Sequence, residues 1–102
     1  MSIDVVLEDA DGNFLEHLDD HYDVLRSLLP HEDDNSYPMA SCIQEYGFTV
    51  FNQCQAERLV PELDRLMAKT SDAASLTYMA AIKEFAIKCR DRPAIYLRFV
   101  GD

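Results

Sequence analysis

Glycine is scarce in this 102-residue chain, and the three present, Gly12, Gly47 and Gly101, stand far apart. No glycine-rich loop can therefore cradle a phosphate, and no Gly-x-Ser-x-Gly elbow can present a nucleophile. Cysteine is equally sparse. Cys42, Cys54 and Cys89 have no C-x-x-C spacing, and an odd number of cysteines in a small chain without a leader favours reduced thiols in a cytoplasm over a disulfide framework. Basic residues are the third shortage: nine Lys and Arg face nineteen Asp and Glu, a net charge of -10. A nucleic-acid module needs a basic footprint, so that class is excluded. No apolar run approaches the roughly 20 residues of a membrane-spanning helix. No basic segment leads into an apolar one as a signal peptide would require.

What is present suffices for one small domain. Hydrophobic residues make up 48% of the chain, enough to fill a core. Ile3, Val5 and Leu7 alternate with Asp4, Val6 and Glu8, the period of a strand. Asp11-Gly12 supplies a tight turn, and Phe14 to Leu18 return as the second strand. Asp19 or Asp20 caps a helix expected to run to about Leu29, with Tyr22, Leu25, Leu28 and Leu29 on one face and Pro30 as its stop. Residues 31–38 have no apolar period and read as a loop, and residues 39–45 fit no single pattern. Gly47 to Phe51 is rich in β-formers and is expected as the third strand.

Asn52 caps the next helix, which has a stripe of Ala56, Leu59, Val60, Leu63, Leu66 and Met67. Arg58, Glu62, Arg65 and Lys69 are assigned to its opposite face. Pro61 lacks an N–H and disfavours helix at Val60, which predicts a kink or a helix start near Val60. A third helix is expected from about Asp72 to Arg90, with Glu84 and Lys88 as an i,i+4 pair. A last strand follows from Ala94 to Val100. The order ββαβααβ implies an α+β fold, one small sheet packed by about three helices on one face. Strand order is not encoded in these patterns.

Metal and catalytic sites find little support. Asp9-Ala10-Asp11-Gly12 suggests a calcium loop, but placing Gly12 at loop position 6 puts leucines, Leu7 and Leu18, at the two liganding ends. His17 and His21 are four apart, yet His17 belongs to a strand and no Glu stands between them. Cys89 falls on an apolar helix face and reads as core. Cys54 lies at a helix start but has no neighbouring histidine base. Nineteen acids always yield carboxylate pairs, and no pair stands out as an acid–base site. No metal, cofactor or enzymatic activity is expected.

Three stretches carry a resemblance: Leu7-Glu8-Asp9-Ala10-Asp11-Gly12-Asn13, Tyr46-Gly47-Phe48-Thr49-Val50-Phe51-Asn52, and Tyr96-Leu97-Arg98-Phe99-Val100-Gly101-Asp102. Together the chain resembles a family of small, soluble, uncharacterised bacterial proteins that open on an acidic hairpin and close on a Tyr-Leu-Arg-Phe-Ile/Val-Gly-Asp strand. The resemblance implies a bacterial, cytoplasmic setting and no catalytic residue. In size and charge alone, the chain is also similar to bacterial toxin-immunity proteins.

Charge is unevenly distributed. Residues 1–40 hold eleven acids and one base, Arg26; residues 41–102 hold eight of each. The whole of the net charge thus falls on the first part. A field of this kind steers a basic partner and raises its association rate by roughly 10–10³-fold at low salt. The competing account is a solvated surface, with acids used for turns and caps. That account explains Asp19 and Asp20 better than Glu32-Asp33-Asp34, which lie beyond a helix end where negative charge is unfavourable. The expectation is a non-enzymatic acidic binding protein, an immunity or inhibitor protein that neutralises a basic partner such as a toxin nuclease. Its expected contact residues are Asp19, Asp20, Asp23, Glu32, Asp33 and Asp34, with Tyr37 as an aromatic anchor. The alternative is a small structural or assembly protein that forms a homodimer.

Overall fold

Residues 3–19 and 24–101 are described by a computed structural model of the chain. Four strands and three helices follow in the expected order: β1 (Ile3–Asp9), β2 (Phe14–Leu18), α1 (Val24–Leu28), β3 (Gly47–Phe51), α2 (Gln53–Met67), α3 (Ala73–Asp91) and β4 (Ile95–Gly101). A short 3₁₀ turn, Ala40–Cys42, lies in the stretch where no sequence pattern dominates. The strands form one antiparallel sheet in the order β2-β1-β4-β3. β4 is therefore central, between β1 and β3.

Pleat alternation divides the sheet into two faces. Ile3, Val5 and Leu7 share one face with Phe51, Leu97 and Phe99, and these side chains join the core with Ala56, Leu59, Leu63, Met79, Ile82 and Phe85 of the helices. Phe51 and Phe99 meet edge to face, with ring centroids 5.8 Å apart. The described helices pack on this face only. The result is a two-layer α+β fold.

The β1–β2 turn is organised by Asp9. Its carboxylate accepts the backbone N–H groups of Asp11 and Asn13, both at 2.9 Å, and the Asn13 side-chain amide at 3.0 Å. Gly12 takes the positive φ of 84° that the turn needs. The pairing then slips: Leu7 faces Glu16, but Glu8 faces Phe14. Leu15 is the extra residue of a β-bulge. The slip moves Phe14 to the face opposite the helices.

Several expectations need correction. α1 is described only from Val24 to Leu28. Asp19 lies in irregular chain before it, while Asp20, His21, Tyr22 and Asp23 lie outside the described residues. Helix α2 runs through Pro61 and starts at Gln53, not near Val60. A reciprocal capping box between Asn52 and Gln55 fixes that start. Pro61 and Glu57 are both exposed, so the Glu57 carbonyl that loses its partner is on the solvent side. Glu62, assigned to the outer face of α2, is only 3% exposed. Lys88 pairs across elements with Glu16 at 2.6 Å rather than with Glu84. Asp72, where the third helix was expected to begin, is the N-cap of α3 and accepts from the Ser75 N–H at 2.9 Å. Ala94 is not yet strand: it sits at φ 61°, turning the chain from α3 into β4.

Candidate protein-binding surface

Pro30 ends the first helical segment, and the chain then crosses the molecule without regular structure to Met39. Helix α2 fixes this crossing from below. The Glu62 carboxylate accepts the backbone N–H groups of Met39, at 3.1 Å, and of Ala40, at 2.9 Å. Arg65 donates to the Ser36 carbonyl. The Tyr37 ring lies 4.6 Å from the Arg65 guanidinium and 4.8 Å from the Lys69 ammonium. These are cation–π contacts with a ring that is itself core. Tyr37 is 4% exposed, so its ring is an internal anchor of the loop and not the exposed contact that the sequence suggested.

The acidic run lies on the outer side of this pinned loop. Glu32 and Asp33 are exposed. Asp34 is half-buried and turns the chain, accepting the Ser36 N–H at 2.9 Å while its own N–H donates to the His31 carbonyl. Asp33 lies 3.7 Å from the His31 imidazole. Among the described residues no Lys or Arg pairs with Glu32, Asp33 or Asp34. Several other acids of the first 45 residues are matched: Glu8 by Arg98, Glu16 by Lys88 and Glu45 by Arg26.

Glu32 also lines an open groove of about 820 Å³ between residues 29–32 and residues 41–46. Arg26, His31, Cys42, Glu45 and Tyr46 share it, and Tyr46 is 58% exposed. Glu45 is already paired with Arg26 there, which leaves Glu32 and the exposed Tyr46 phenol to meet a cationic side chain from a partner. Tyr46 and Glu45 were absent from the sequence-based site. Their only signal was proximity to Gly47, which takes a φ of 91° where the chain enters β3 just after them.

Asp19 is elsewhere. Its carboxylate lies 3.0 Å from His17 Nε2, and the Asp4 carboxylate lies 4.0 Å from the same nitrogen. The three potential ligand atoms lie within 4.8 Å of one another on the surface. A histidine between two carboxylates forms such a cluster without an ion. No described contact joins Asp19 to the 32–34 run, and Asp20 and Asp23 lie outside the described residues.

The thiols follow their surroundings. Cys42 and Cys54 are exposed. Cys89 is buried, and burial pushes its pKa up to about 11, against the partly opposing hydrogen bond from the Leu97 backbone. It is protonated at neutral pH and serves the core.

A second surface feature is the face of the sheet turned away from the helices. Phe14, on edge strand β2, and Phe48, on the opposite edge strand β3, are 67% and 65% exposed there, and Val50 follows Phe48 on the same side of β3. Arg98 crosses this face. It pairs with Glu8 at 2.9 Å, and its guanidinium lies 5.2 Å from the Phe48 ring centre. In Gly47–Phe51 both alternating sets are apolar, Phe48 and Val50 on one side and Phe51 on the other. That two-sided pattern is the sequence signal for a sheet with something to cover on each face.

Compared with known proteins, the chain matches no family model, and no curated protein and no solved structure gives a significant match. No helix among the described residues is long and apolar enough to cross a membrane.

Proposed function

We propose that this chain is a non-enzymatic acidic binding protein that neutralises a basic protein partner in a bacterial cytoplasm, as an immunity or inhibitor protein neutralises a toxin nuclease. The observation that carries the reading is the Glu32-Asp33-Asp34 run, exposed at Glu32 and Asp33, on a loop that α2 pins through Glu62 and through Arg65 against Tyr37. A loop held in one shape loses less entropy on binding than a free one. Its charges have no Lys or Arg partner among the described residues, so a cationic partner displaces no existing pair there. The adjoining groove adds the exposed Tyr46 to the same surface. Asp19, Asp20 and Asp23 contribute to the long-range field that draws the partner in.

The test has two steps. A tagged chain recovers its partner from the native host, and the purified pair is then mixed by stopped flow. The triple variant Glu32→Gln, Asp33→Asn, Asp34→Asn should associate at least about tenfold more slowly at low salt. The difference should shrink as the Debye length falls from about 10 Å at 0.1 M to about 3 Å at 1 M salt. Equal association rates without salt dependence would return the acidic run to a solvated surface.

A further inference from the structure

We propose that Asp4, His17 and Asp19 form a binding site for a divalent transition-metal ion of the zinc class. Strand register brings the three residues together. β1 and β2 pair Val5 with Leu18 and Val6 with His17. The same register carried one residue further sets Asp19 across from Asp4. Alternation then turns Asp4, His17 and Asp19 to the face of the sheet without helices, while Val5 and Leu18 turn to the core. One imidazole and two carboxylates thus meet at one end of two adjacent strands, and none of the three lines the groove beside Tyr46.

Charge identifies the ligand as a cation, and spacing shows that it is a bare ion. Like charges directly across a strand pair repel one another. His17 Nε2 lies 3.0 Å from the Asp19 carboxylate but 4.0 Å from that of Asp4, past hydrogen-bond reach. The one ring nitrogen therefore meets only one of the two carboxylates, whereas an ion among the three atoms meets both. Ligand atoms about 2.1 Å from a tetrahedral ion stand about 3.4 Å from one another. Here the three potential ligand atoms already lie within 4.8 Å of one another. Their side chains are partly exposed, so small rotations close the remainder.

The donor set chooses among ions. An imidazole nitrogen favours zinc and its neighbours over calcium and magnesium, which take oxygen ligands and more of them. His17 binds through the lone pair of Nε2, with its ring proton on Nδ1. Three protein ligands leave the fourth tetrahedral position to water. Such an ion clips the end of β2 to the start of β1 and offsets negative charge in the acid-rich first part of the chain. The spacing of His17 and His21 did not reveal this set, because Asp4 joins it only through the pairing of two strands.

Calorimetric titration of the whole chain with zinc chloride, with the thiols kept reduced, tests the site and needs no protein partner. A single saturable zinc site is expected, and the melting temperature should rise as zinc is added. Asp4→Asn, His17→Gln and Asp19→Asn change exposed or half-buried positions and should keep the fold. Each should weaken zinc binding at least about tenfold. Any one of the three that folds gives the readout. Glu84→Gln removes the same charge from an exposed position on α3 and should leave the affinity unchanged. Calcium in about tenfold excess over zinc should not displace it. No saturable binding up to about 1 mM zinc, zinc held equally well by the folded variants, or displacement by calcium would overturn the proposal.

Discussion

Glu62 shows how a single charged residue can belong to the interior. A carboxylate 3% exposed would be costly alone, but here it answers the N–H groups that open the Ala40–Cys42 turn. Glu62→Ala strands those donors and should cost about 2–3 kcal/mol in urea unfolding. Glu62→Gln, whose carbonyl oxygen can still accept, should recover part of the loss. The sequence placed Glu62 outside because helical spacing reports only the face of its own helix, and the cover here is a loop 22 residues away in sequence. The same reason hid Tyr37: nothing local distinguishes a tyrosine held between Arg65 and Lys69 from one offered to a partner. Cys89 was legible because its burial follows from the apolar stripe of α3 itself.

At the scale of elements, the caps and turns follow local chemistry closely. Asp9 at the hairpin and Asp72 at the start of α3 both have their pKa lowered, first by side-chain hydrogen bonds, from Asn13 and Ser75 respectively. Each releases its proton more readily in the folded chain than in the unfolded one. Their contribution to stability is therefore complete above about pH 4 and is lost as pH falls through the lowered folded values. Thermal melts from about pH 5 to about pH 2 should show this acid limb, and Asp9→Asn with Asp72→Asn should flatten it. The hairpin, the caps of α2 and α3 and the ββαβααβ order were legible because each rests on neighbours in sequence. Helix α2 departs from the prediction at Pro61 because a local rule met a non-local fact. The apolar stripe on both sides of the proline packs into one core, and the orphaned carbonyl is on the wet side. The bulge at Leu15 was likewise invisible, since register is a property of two strands together.

For the molecule as a whole, the decisive feature is the place of β4. Phe99 is fully buried in the centre of the sheet, against Val5 on one side and Thr49 on the other. Phe99→Ala should cost about 3–5 kcal/mol, a large share of a typical stability of about 5–15 kcal/mol. Equilibrium unfolding in urea would measure the loss as a lower midpoint with an unchanged slope. The uneven charge has a molecular consequence as well: α2 and α3 carry most of the bases, and the acid-rich first part supplies the loop proposed to meet a cationic partner. The central position of β4 also imposes a timetable on synthesis. Arg98 joins Glu8 across 90 residues of chain. At a translation rate of about 5–20 residues per second, the opening hairpin waits roughly 5 to 20 s for its inner neighbour. For that interval one edge of β1 lacks its backbone partner, and Ile3, Val5 and Leu7 have no completed core to enter. The sheet is therefore completed only once β4 has been made, and the hairpin carries that open edge until then.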